Sequence, residues 1–514
     1  MMKRLCTLCP SLLFVYFLQA QLPEDALRMA YIRPNGTARE QAIGGAMGSL
    51  GGDISATYVN PAGLAFYKTG ELLLTPGWAF GTTKTSYLST DMKTPPAGHF
   101  IMGTSGFVKG WGDQKSTTTI SLSVNQTADF KNQFSYQGNN NYSSASEAYY
   151  EEFKASGLSV DQALAEPGLS YGTRMALYTY LIDTSQGGLG PTIFQPGKVL
   201  DSGGQLSQHT NIRTCGGVTE IDLGVAGMEN EKFYYGLTIG FPIVNYQQTI
   251  EYTETDLSGN AHNDFGSYNY TESYSSTGAG VVFRLGGIYR PNLNWRIGLA
   301  VHSPSFYYLT DRVSANMVTN SEDYAGTRSV SSATMDQQAN AGNSLKYQLY
   351  TPWHFLVSGS YIFPGQLTEG KMGFITADIE YQTNTSSKFS FQPDDNGNHP
   401  DNSYYDPLNS TIKSYYKNTF NFRMGGEYKV DELAFRIGGS YSMNPYRSPD
   451  LKANLFTISG GIGYRKNGIF VDLTYVEAIS NNVNFPYRLE EKDNVYSTVK
   501  KYTGNILLTF GIKI

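Results

Sequence analysis

Short segments in which apolar and polar residues alternate recur from residue 71 to the last residue of the chain. Within this pattern Phe420 and Phe422 would lie on one face of an extended chain, with Asn421 and Arg423 on the other. Alternation with a period of two predicts β-strands that have two unlike faces. Soluble sandwiches show the same pattern, so alternation alone does not identify the fold.

The connections between these segments narrow the fold class. Fourteen strands are predicted, near 71–80, 99–108, 117–128, 217–227, 232–250, 270–289, 295–312, 345–362, 371–382, 417–429, 433–443, 454–465, 469–479 and 499–514. Short turns alternate strictly with long loops, the latter near 81–98, 129–216, 251–269, 313–344, 383–416, 444–453 and 480–498. An even number of antiparallel strands with this asymmetry is typical of outer-membrane barrels. The sequence therefore predicts an all-β fold, a transmembrane antiparallel β-barrel of about 14 strands.

Two further features agree with a barrel. Aromatic residues stand near the ends of predicted strands, where interfacial girdles form: Tyr289, Trp295, Trp353, Tyr361, Tyr428 and Tyr502. The longest predicted loop, 129–216, contains SASEAYYEEFKASG, SVDQALAEPG and RMALYTYLID, which have helical character. We expect short helices there, over the mouth of the barrel.

Composition excludes several other classes of protein. Only 16% of the 514 residues are charged and 14% are aromatic, with 55 Gly and 39 Tyr. Charged residues make up about a quarter of an ordinary soluble chain, and disordered chains have few aromatics. No uncharged apolar run of about 18 residues follows residue 20, so membrane-spanning helices are not expected. The net charge of −6 without a basic stripe argues against a nucleic-acid partner.

The first 20 residues read as a secretory signal peptide. Lys3 and Arg4 form the charged start, 12–18 the apolar core, and Leu18-Gln19-Ala20 a plausible cleavage site. A membrane anchor is the alternative, but the apolar run is short for a span. Cleavage would leave Cys215 as the remaining cysteine, so we expect an exported protein without an internal disulfide.

Residues 21–70 differ from the rest of the chain, because they are rich in Ala and Gly and do not alternate. A fourteen-stranded barrel is too wide to be filled by its own side chains. This segment has about the right size for a plug. Its sequence AIGGAMGSLGGDISATYVNPAGLAF resembles the N-terminal hatch of the FadL-like long-chain fatty acid transporters of Gram-negative outer membranes, which include aromatic-hydrocarbon channels. The hatch motif of that family matches Asn60, Pro61 and Ala62.

The resemblance extends to WRIGLAVHSPSFY, FNFRMGGEYKVDELAFRIGGSY and FTISGGIGYRKNGIFVDLTY, and thus to most of the mature chain. It implies an N-terminal hatch at 21–70 inside a barrel at 71–514, in the outer membrane. It also implies passive transport of hydrophobic compounds, most of all long-chain fatty acids, with outer-membrane lipids and lipopolysaccharide as surroundings. Substrate would be captured near the long loops and released after a shift of the hatch, with a sideways gap at a kinked strand as one route. We place that kink in SLSVNQTADF, where Asn125, Gln126 and Asp129 interrupt the alternation.

Inward-facing charges are the candidate binding groups. Two interpretations stay open: they line a wet lumen and pair with one another or with the hatch, or an arginine holds a fatty-acid carboxylate, which a guanidinium suits geometrically. The candidate substrate-binding residues are Arg296, His302, Arg423 and Arg436. The other inward charges are Arg284, Asp378, Glu380, Glu427 and Asp472.

Signals for catalysis or cofactors are weak. The six histidines form no ligand-spaced pair, and there is no GxSxG or HExxH motif. GGAMGSLGG lacks the Gly-Lys-Ser/Thr of a phosphate loop, and Asp394–Asn398 lacks the spacing of a calcium loop. We therefore expect that the protein is not an enzyme and that it holds neither a cofactor nor a metal ion. The rival functions are a general diffusion porin for polar solutes and a surface adhesion protein.

Overall fold

The wall of the molecule is a closed antiparallel β-barrel. A computed structural model describes residues 23–30, 35–113, 115–185, 192–339, 344–363, 371–393, 402–449 and 451–514. The predicted signal peptide, the turn at 364–370 and the Asp394–Asn398 turn lie outside the described residues. The last strand pairs with the first two, which closes the sheet.

The strands, in chain order, are β1 Gly70–Leu74, β2 Pro76–Tyr87, β3 Thr90–Lys93, β4 Ala97–Met102, β5 Ser105–Gly112, β6 Ser116–Asp129, β7 Asn132–Asn140, β8 Ile182–Thr184, β9 Thr192–Phe194, β10 Leu206–Glu229, β11 Phe233–Asp256, β12 Ser267–Tyr289, β13 Trp295–His302, β14 Phe306–Asn320, β15 Thr327–Ser331, β16 Ser344–Tyr350, β17 His354–Phe363, β18 Lys371–Gln382, β19 Lys388–Phe391, β20 Thr419–Val430, β21 Leu433–Ser442, β22 Leu455–Lys466, β23 Ile469–Asn484 and β24 Ser497–Lys513.

These strands build fourteen wall strands, which we call S1 to S14. Six of them are interrupted: S1 is β1 and β2, S2 is β3 to β5, S3 is β6 and β7, S7 is β13 and β14, S8 is β16 and β17, and S9 is β18 and β19. S4 to S6 are β10 to β12, and S10 to S14 are β20 to β24. The hairpin β8–β9 stands apart, and β15 pairs with β14 beside the wall. The predicted count of fourteen strands is confirmed.

The predicted alternation sets which face of each strand points outward. On β11, Phe233, Tyr235, Phe241 and Ile243 are exposed and face outward, whereas alternate residues such as Tyr234 are buried and face the lumen. The outward apolar positions span about 11 residues, the length of a strand that crosses a bilayer obliquely. Beyond this belt the outward residues turn polar while strand pairing continues to Asp256.

The strands extend further than the alternation predicted. The loop predicted at 81–98 is largely strand, because β2 and β3 form a hairpin across Leu88 and Ser89, both with positive φ (45° and 64°). The loop predicted at 129–216 shrinks to 141–205, since β7 and the first half of β10 pair with each other. These predictions were wrong because the outward face of the strands is polar above the apolar belt, and the few inward apolar residues, such as Tyr87, Phe134 and Ile212, are too sparse to show the alternation.

The helices lie at the N-terminus and in the long loops. They are α1 Pro23–Ala30, α2 Ala38–Ala42, α3 Ala56–Val59, α4 Ser146–Ser156, α5 Val160–Ala165, α6 Tyr171–Tyr178, α7 Gln195–Asp201, α8 Glu322–Ala325, α9 Ser332–Ala339 and α10 Asp406–Tyr415. Short 3-10 helices occupy Pro61–Phe66, Asn384–Ser386 and Asn402–Tyr405. Helices α4 to α6 occur where the sequence predicted them. In the described part of the chain, no helix combines the length and the apolarity needed to span a membrane.

The cap, residues 141–185 and 192–205, covers the long-loop end of the barrel. Its helices bury Phe153, Met175 and Leu177 against Tyr252 and Tyr268 at the upper ends of β11 and β12. Burial of large apolar side chains of this kind contributes about 1.5–3 kcal/mol each. The cap is therefore a packed layer over the lumen and not a set of loose loops.

Candidate transport pathway in the lumen

The lower half of the lumen, near the short turns, contains the N-terminal segment, which we define as residues 35–69. Its residues are almost all buried, from Asn35 and Thr37 to Ala65 and Tyr67. It approaches all fourteen wall strands through one or more residues each: Glu71, Gly110, Thr117, Gly224, Gly236, Gly286, Gly298, Ser358, Asp378, Gly425, Gly438, Ser459, Thr474 and Thr509. The N-terminal segment thus contacts the wall around its whole circumference at that level.

Asn60 anchors the middle of this segment. Its side chain is fully buried, and the amide Nδ2 donates to the carbonyl of Gly48 at 2.6 Å and, at 3.3 Å, to that of Leu299 in S7. Its Oδ1 accepts from the Ala62 N–H at 3.2 Å, which caps the 3-10 helix that starts at Pro61. Asn60 is extended (φ −149°, ψ 102°), the conformation favoured before proline. The Asn-Pro-Ala sequence thus joins a rigid turn to the barrel wall.

Glycines of the wall make the room for this segment. A Cβ on Gly286 would overlap Asn60 Oδ1, and one on Gly236 would overlap the backbone of Pro61. On the opposite wall, a Cβ on Gly425 or Gly438 would overlap the backbone of Ile43. Sequence reasoning missed this role, although the signal was present: Gly425 and Gly438 occupy lumen-facing positions of otherwise alternating strands.

Inward charges form separate ion-pair groups. Arg284 of S6 pairs with Glu220 and, at 2.9 Å, with Asp222, both on S4, and all three side chains are buried. On the other side of the lumen, Asp378 accepts from the Gly48 N–H at 3.0 Å. Buried ions need such partners, because an unpaired buried charge is very unfavourable. Pairing with one another and with the N-terminal segment is the interpretation that these contacts favour.

The four predicted binding residues lie on lumen-facing positions but not in one site. Arg296 donates to the Leu50 carbonyl and lies 4.4 Å from the ring centroid of Phe66, and His302 Nε2 is 3.0 Å from the Val59 carbonyl oxygen. Arg423 pairs with Glu380, whose other oxygen is 2.7 Å from His354 Nδ1. Arg436 contacts Glu427 and Asp472, each at 2.6 Å. Arg296 and His302 hold the N-terminal segment, whereas Arg423 and Arg436 are neutralised by carboxylates of the wall.

A layer of buried tyrosines and aliphatic residues packs around helix α1 above the N-terminal segment, at mid-height of the barrel. We call it the tyrosine chamber; its buried wall consists of Tyr246, Tyr274, Tyr307, Leu309, Tyr347, Leu349, Phe389, Tyr405, Ile412, Tyr416 and Tyr446. Helix α1 occupies it, with Ala26 and Met29 buried against this wall and Arg28 4.0 Å from the ring centroid of Tyr246. The sequence showed 39 tyrosines but did not reveal that several of them face inward at one level.

The cap closes the chamber from above and contains an unusual arginine. Arg174 is fully buried, lies 4.9 Å from the ring centroid of Tyr171, and donates to the Met335 carbonyl at 3.3 Å. Burial lowers the pKa of its guanidinium below the ordinary value. This arrangement shows how closely the cap helices pack.

The wall is interrupted between S2 and S3. β5 pairs with β6, but in the described part of the chain β4 pairs with β2 and has no ladder to β6. Asn35 bridges the break: its N–H donates to the Gln126 carbonyl at 3.0 Å, and its carbonyl accepts from the Thr104 N–H at 3.0 Å. A bulge interrupts the S3–S4 register at Thr127, within the segment where the sequence predicted a kink.

Comparison with known proteins adds fold-level information. No protein-family profile matches the sequence, and no curated protein is significantly similar to it. Among solved structures, a FadL homologue from Pseudomonas aeruginosa superposes with a TM-score of 0.56 at 13% identity, over 94% of this chain and 99% of that one. The toluene transporter TodX from P. putida gives a TM-score of 0.50 at 13% identity, over 93% and 99%. With its fourteen-stranded closed barrel, the chain has the fold of these FadL-like channels.

Proposed function

We propose that this protein is a passive outer-membrane channel for hydrophobic compounds, with long-chain fatty acids as its substrate class, and that the N-terminal segment is its hatch. The observation that carries the proposal is the layered lumen: an apolar chamber lies between a packed cap and a segment that meets every wall strand. An aqueous pore would need a continuous wet path, so this arrangement argues against a diffusion porin. The similar structures include a toluene transporter, which agrees with an apolar substrate.

The tyrosine chamber suits an amphipathic chain. Its wall offers aromatic and aliphatic surface together with hydroxyl groups, of which those of Tyr405 and Tyr416 are buried and have no hydrogen-bond partner among the residues that the structure describes. Apolar walls with a few polar groups are typical of small-molecule sites. Helix α1 holds this space through Ala26 and Met29, so substrate would have to displace it.

Of the four predicted binding residues, we propose Arg296 as the carboxylate contact, with His302 on the same strand as a second polar group. Arg296 is bonded to a carbonyl and a ring rather than to an acid, in contrast to Arg423 and Arg436. A shift of the hatch would release it. A free guanidinium in the lumen would then bind a carboxylate in the geometry it prefers.

Two measurements test the proposal together. Native mass spectrometry of protein purified in gentle detergent should find an apolar ligand, and the gene should restore uptake of labelled oleate to cells that lack their own transporter. Absence of both results would overturn the assignment. An Asn60→Ala, Pro61→Ala variant that restores uptake at the full wild-type rate, with wild-type conductance in planar bilayers, would refute a working hatch.

A further inference from the structure

A depression of about 710 Å³ lies on the outer wall of the barrel, across S9 to S12. We call it the outer groove. Its sides are outward-facing apolar residues, among them Phe422, Met424 and Ile437, which are 42%, 59% and 67% exposed. The floor contains Gly426 and Gly439, which also face outward and add no side chain. Ligand pockets of about 300–1,000 Å³ are typical, so the outer groove has room for a hydrocarbon chain.

The outward-facing residues at the groove differ from those on the side of the barrel formed by S1 and S2. On S1 and S2, outward positions at the corresponding height carry the large side chains Trp78 and Phe100, which are exposed and fill the surface. On S10 and S11, the outward glycines leave the backbone uncovered, while inside the same strands Gly425 and Gly438 receive Ile43. At the groove, S10 and S11 therefore carry glycine on both faces of the wall.

Three cations lie at the long-loop rim above the same strands. Arg447 donates to the carbonyls of Lys413 and Tyr416 at 3.3 and 3.2 Å, and the Lys417 N–H donates to the Pro445 carbonyl at 2.8 Å. These bonds join the loop before S10 to the loop after S11. They place Lys413, Lys417 and Arg447 in one patch, which we call the basic patch.

Some cations of this rim are paired with acids and, as far as the structure describes the chain, the three residues of the basic patch are not. Elsewhere Lys154, Lys198 and Lys492 each contact a carboxylate. Within the described ranges, the three residues of the basic patch form no ion pair, and Lys413 and Arg447 are exposed. Unpaired cations gathered at one rim attract an anion.

The spacing between patch and groove fits one molecule. Five residues separate Lys417 from Phe422, which is about 17 Å along an extended chain. Half of a bilayer's hydrocarbon core is about 15 Å thick. Between them the outward rings of Tyr381 and Phe420 pack against one another at a tilt, with centroids 5.0 Å apart, at the level where aromatic residues meet headgroups.

We infer that the outer groove and the basic patch together bind one phosphate-bearing lipid of the surrounding bilayer. Its acyl chain lies in the groove, and its phosphate contacts Lys413, Lys417 and Arg447. The inference rests on the placement of the barrel in a membrane, but not on the substrate that crosses the lumen. The role of such a lipid is to cover the glycine-bearing wall behind which Ile43 of the N-terminal segment is seated.

The test counts phosphate-bearing lipids on the full chain by native mass spectrometry after purification in mild detergent. The wild type should retain one such lipid. In a K413Q/K417Q variant, the fraction of protein that carries the lipid should be at least fivefold lower. The matched control is K84Q/K93Q, a pair of exposed lysines that are neighbours on S1 and S2 at the same rim. Ile437→Trp, which fills the groove without touching the basic patch, should also reduce retention.

Each result decides the inference. A wild type without lipid, or equal loss from the K413Q/K417Q and K84Q/K93Q variants, overturns it. A disulfide-linked dimer of a Gly439→Cys variant would also overturn the inference, since a second copy of the protein would then occupy the groove. Folding of each variant is checked by its heat-dependent electrophoretic shift. Oleate uptake by K413Q/K417Q should stay at the wild-type level, which separates failure of the lipid site from failure of the proposed transport.

Discussion

The substitution Asn60→Ala tests how firmly the N-terminal segment is held. It removes a fully buried side chain that donates a hydrogen bond to the Gly48 carbonyl at 2.6 Å and accepts one from the Ala62 N–H at 3.2 Å. Each buried group left without a partner costs about 1–3 kcal/mol. Two such groups should destabilise the seated segment by about 3 kcal/mol. Since 1.4 kcal/mol is a factor of ten, the unseated population should rise roughly 100-fold.

Hydrogen–deuterium exchange measures this population directly, because amides exchange when a local unit opens. The experiment uses full-length protein in detergent. Peptides covering residues 47–62 should exchange roughly 100-fold faster in Asn60→Ala than in the wild type, whereas peptides of the wall strands should exchange at the same rate in both. Asn444→Ala is the matched control: Asn444 makes similar bonds, to the Leu451 carbonyl at 2.6 Å and from the Tyr446 N–H at 3.2 Å, but in a rim loop. Equal exchange of residues 47–62 in wild type and Asn60→Ala would refute the reasoning.

The remaining predictions concern the wall and the chamber. Gly438→Val should keep the segment from seating and raise single-channel conductance in planar bilayers, whereas Val at the outward Gly460, where a Cβ meets only ordinary contacts, should not. Arg436→Met removes the partner shared by the buried Asp472 and the partly buried Glu427, and Arg465 and Arg39 each remain 3.5 Å from one of them; it should destabilise the barrel by about 3 kcal/mol, measured as a loss of urea resistance. Asn35→Pro removes the N–H that bridges the wall break and should speed oleate release, measured with fluorescent fatty acid in proteoliposomes. Met29→Ala weakens the helix that occupies the chamber and should tighten oleate binding about tenfold in calorimetry; unchanged affinity would mean that helix and ligand do not compete.

The barrel could be predicted from the sequence where its strands cross the apolar belt. There one face meets hydrocarbon and the other meets the lumen, so β20 and β21 alternate as the sequence shows. Above the belt the outward face is polar as well, and the paired segments 206–214 and 132–140 keep only a few inward apolar residues, such as Phe134, Tyr136 and Ile212, among many polar ones. Strand ends at the long-loop rim were therefore underestimated on S1 to S7, whereas those of S10 to S12 and those at the described short turns were predicted to within a few residues.

The candidate site was predictable only in part. The Asn-Pro-Ala motif marked the anchor of the N-terminal segment, because a buried Asn before Pro has few other uses. The tyrosine chamber could not be found, since its wall combines residues from positions 246 to 446 that only closure of the sheet brings together. The same holds for the acidic partners of Arg423 and Arg436, which come from S9, S10 and S13 and are visible only once the register is known.

The two ends of the lumen are closed by different forces, and this difference bears on the route of release. The cap and α1 hold their places by apolar packing, which an apolar solute can replace with its own contacts. The N-terminal segment also packs against apolar wall residues, but it adds buried hydrogen bonds and close backbone approaches on all sides, for which such a solute offers nothing in return. At the break between S2 and S3, by contrast, the backbone bonds of Asn35 to Gln126 and Thr104 join the two strands, at about 1 kcal/mol each. We infer that opening the wall sideways at Asn35 costs less than unseating the whole segment.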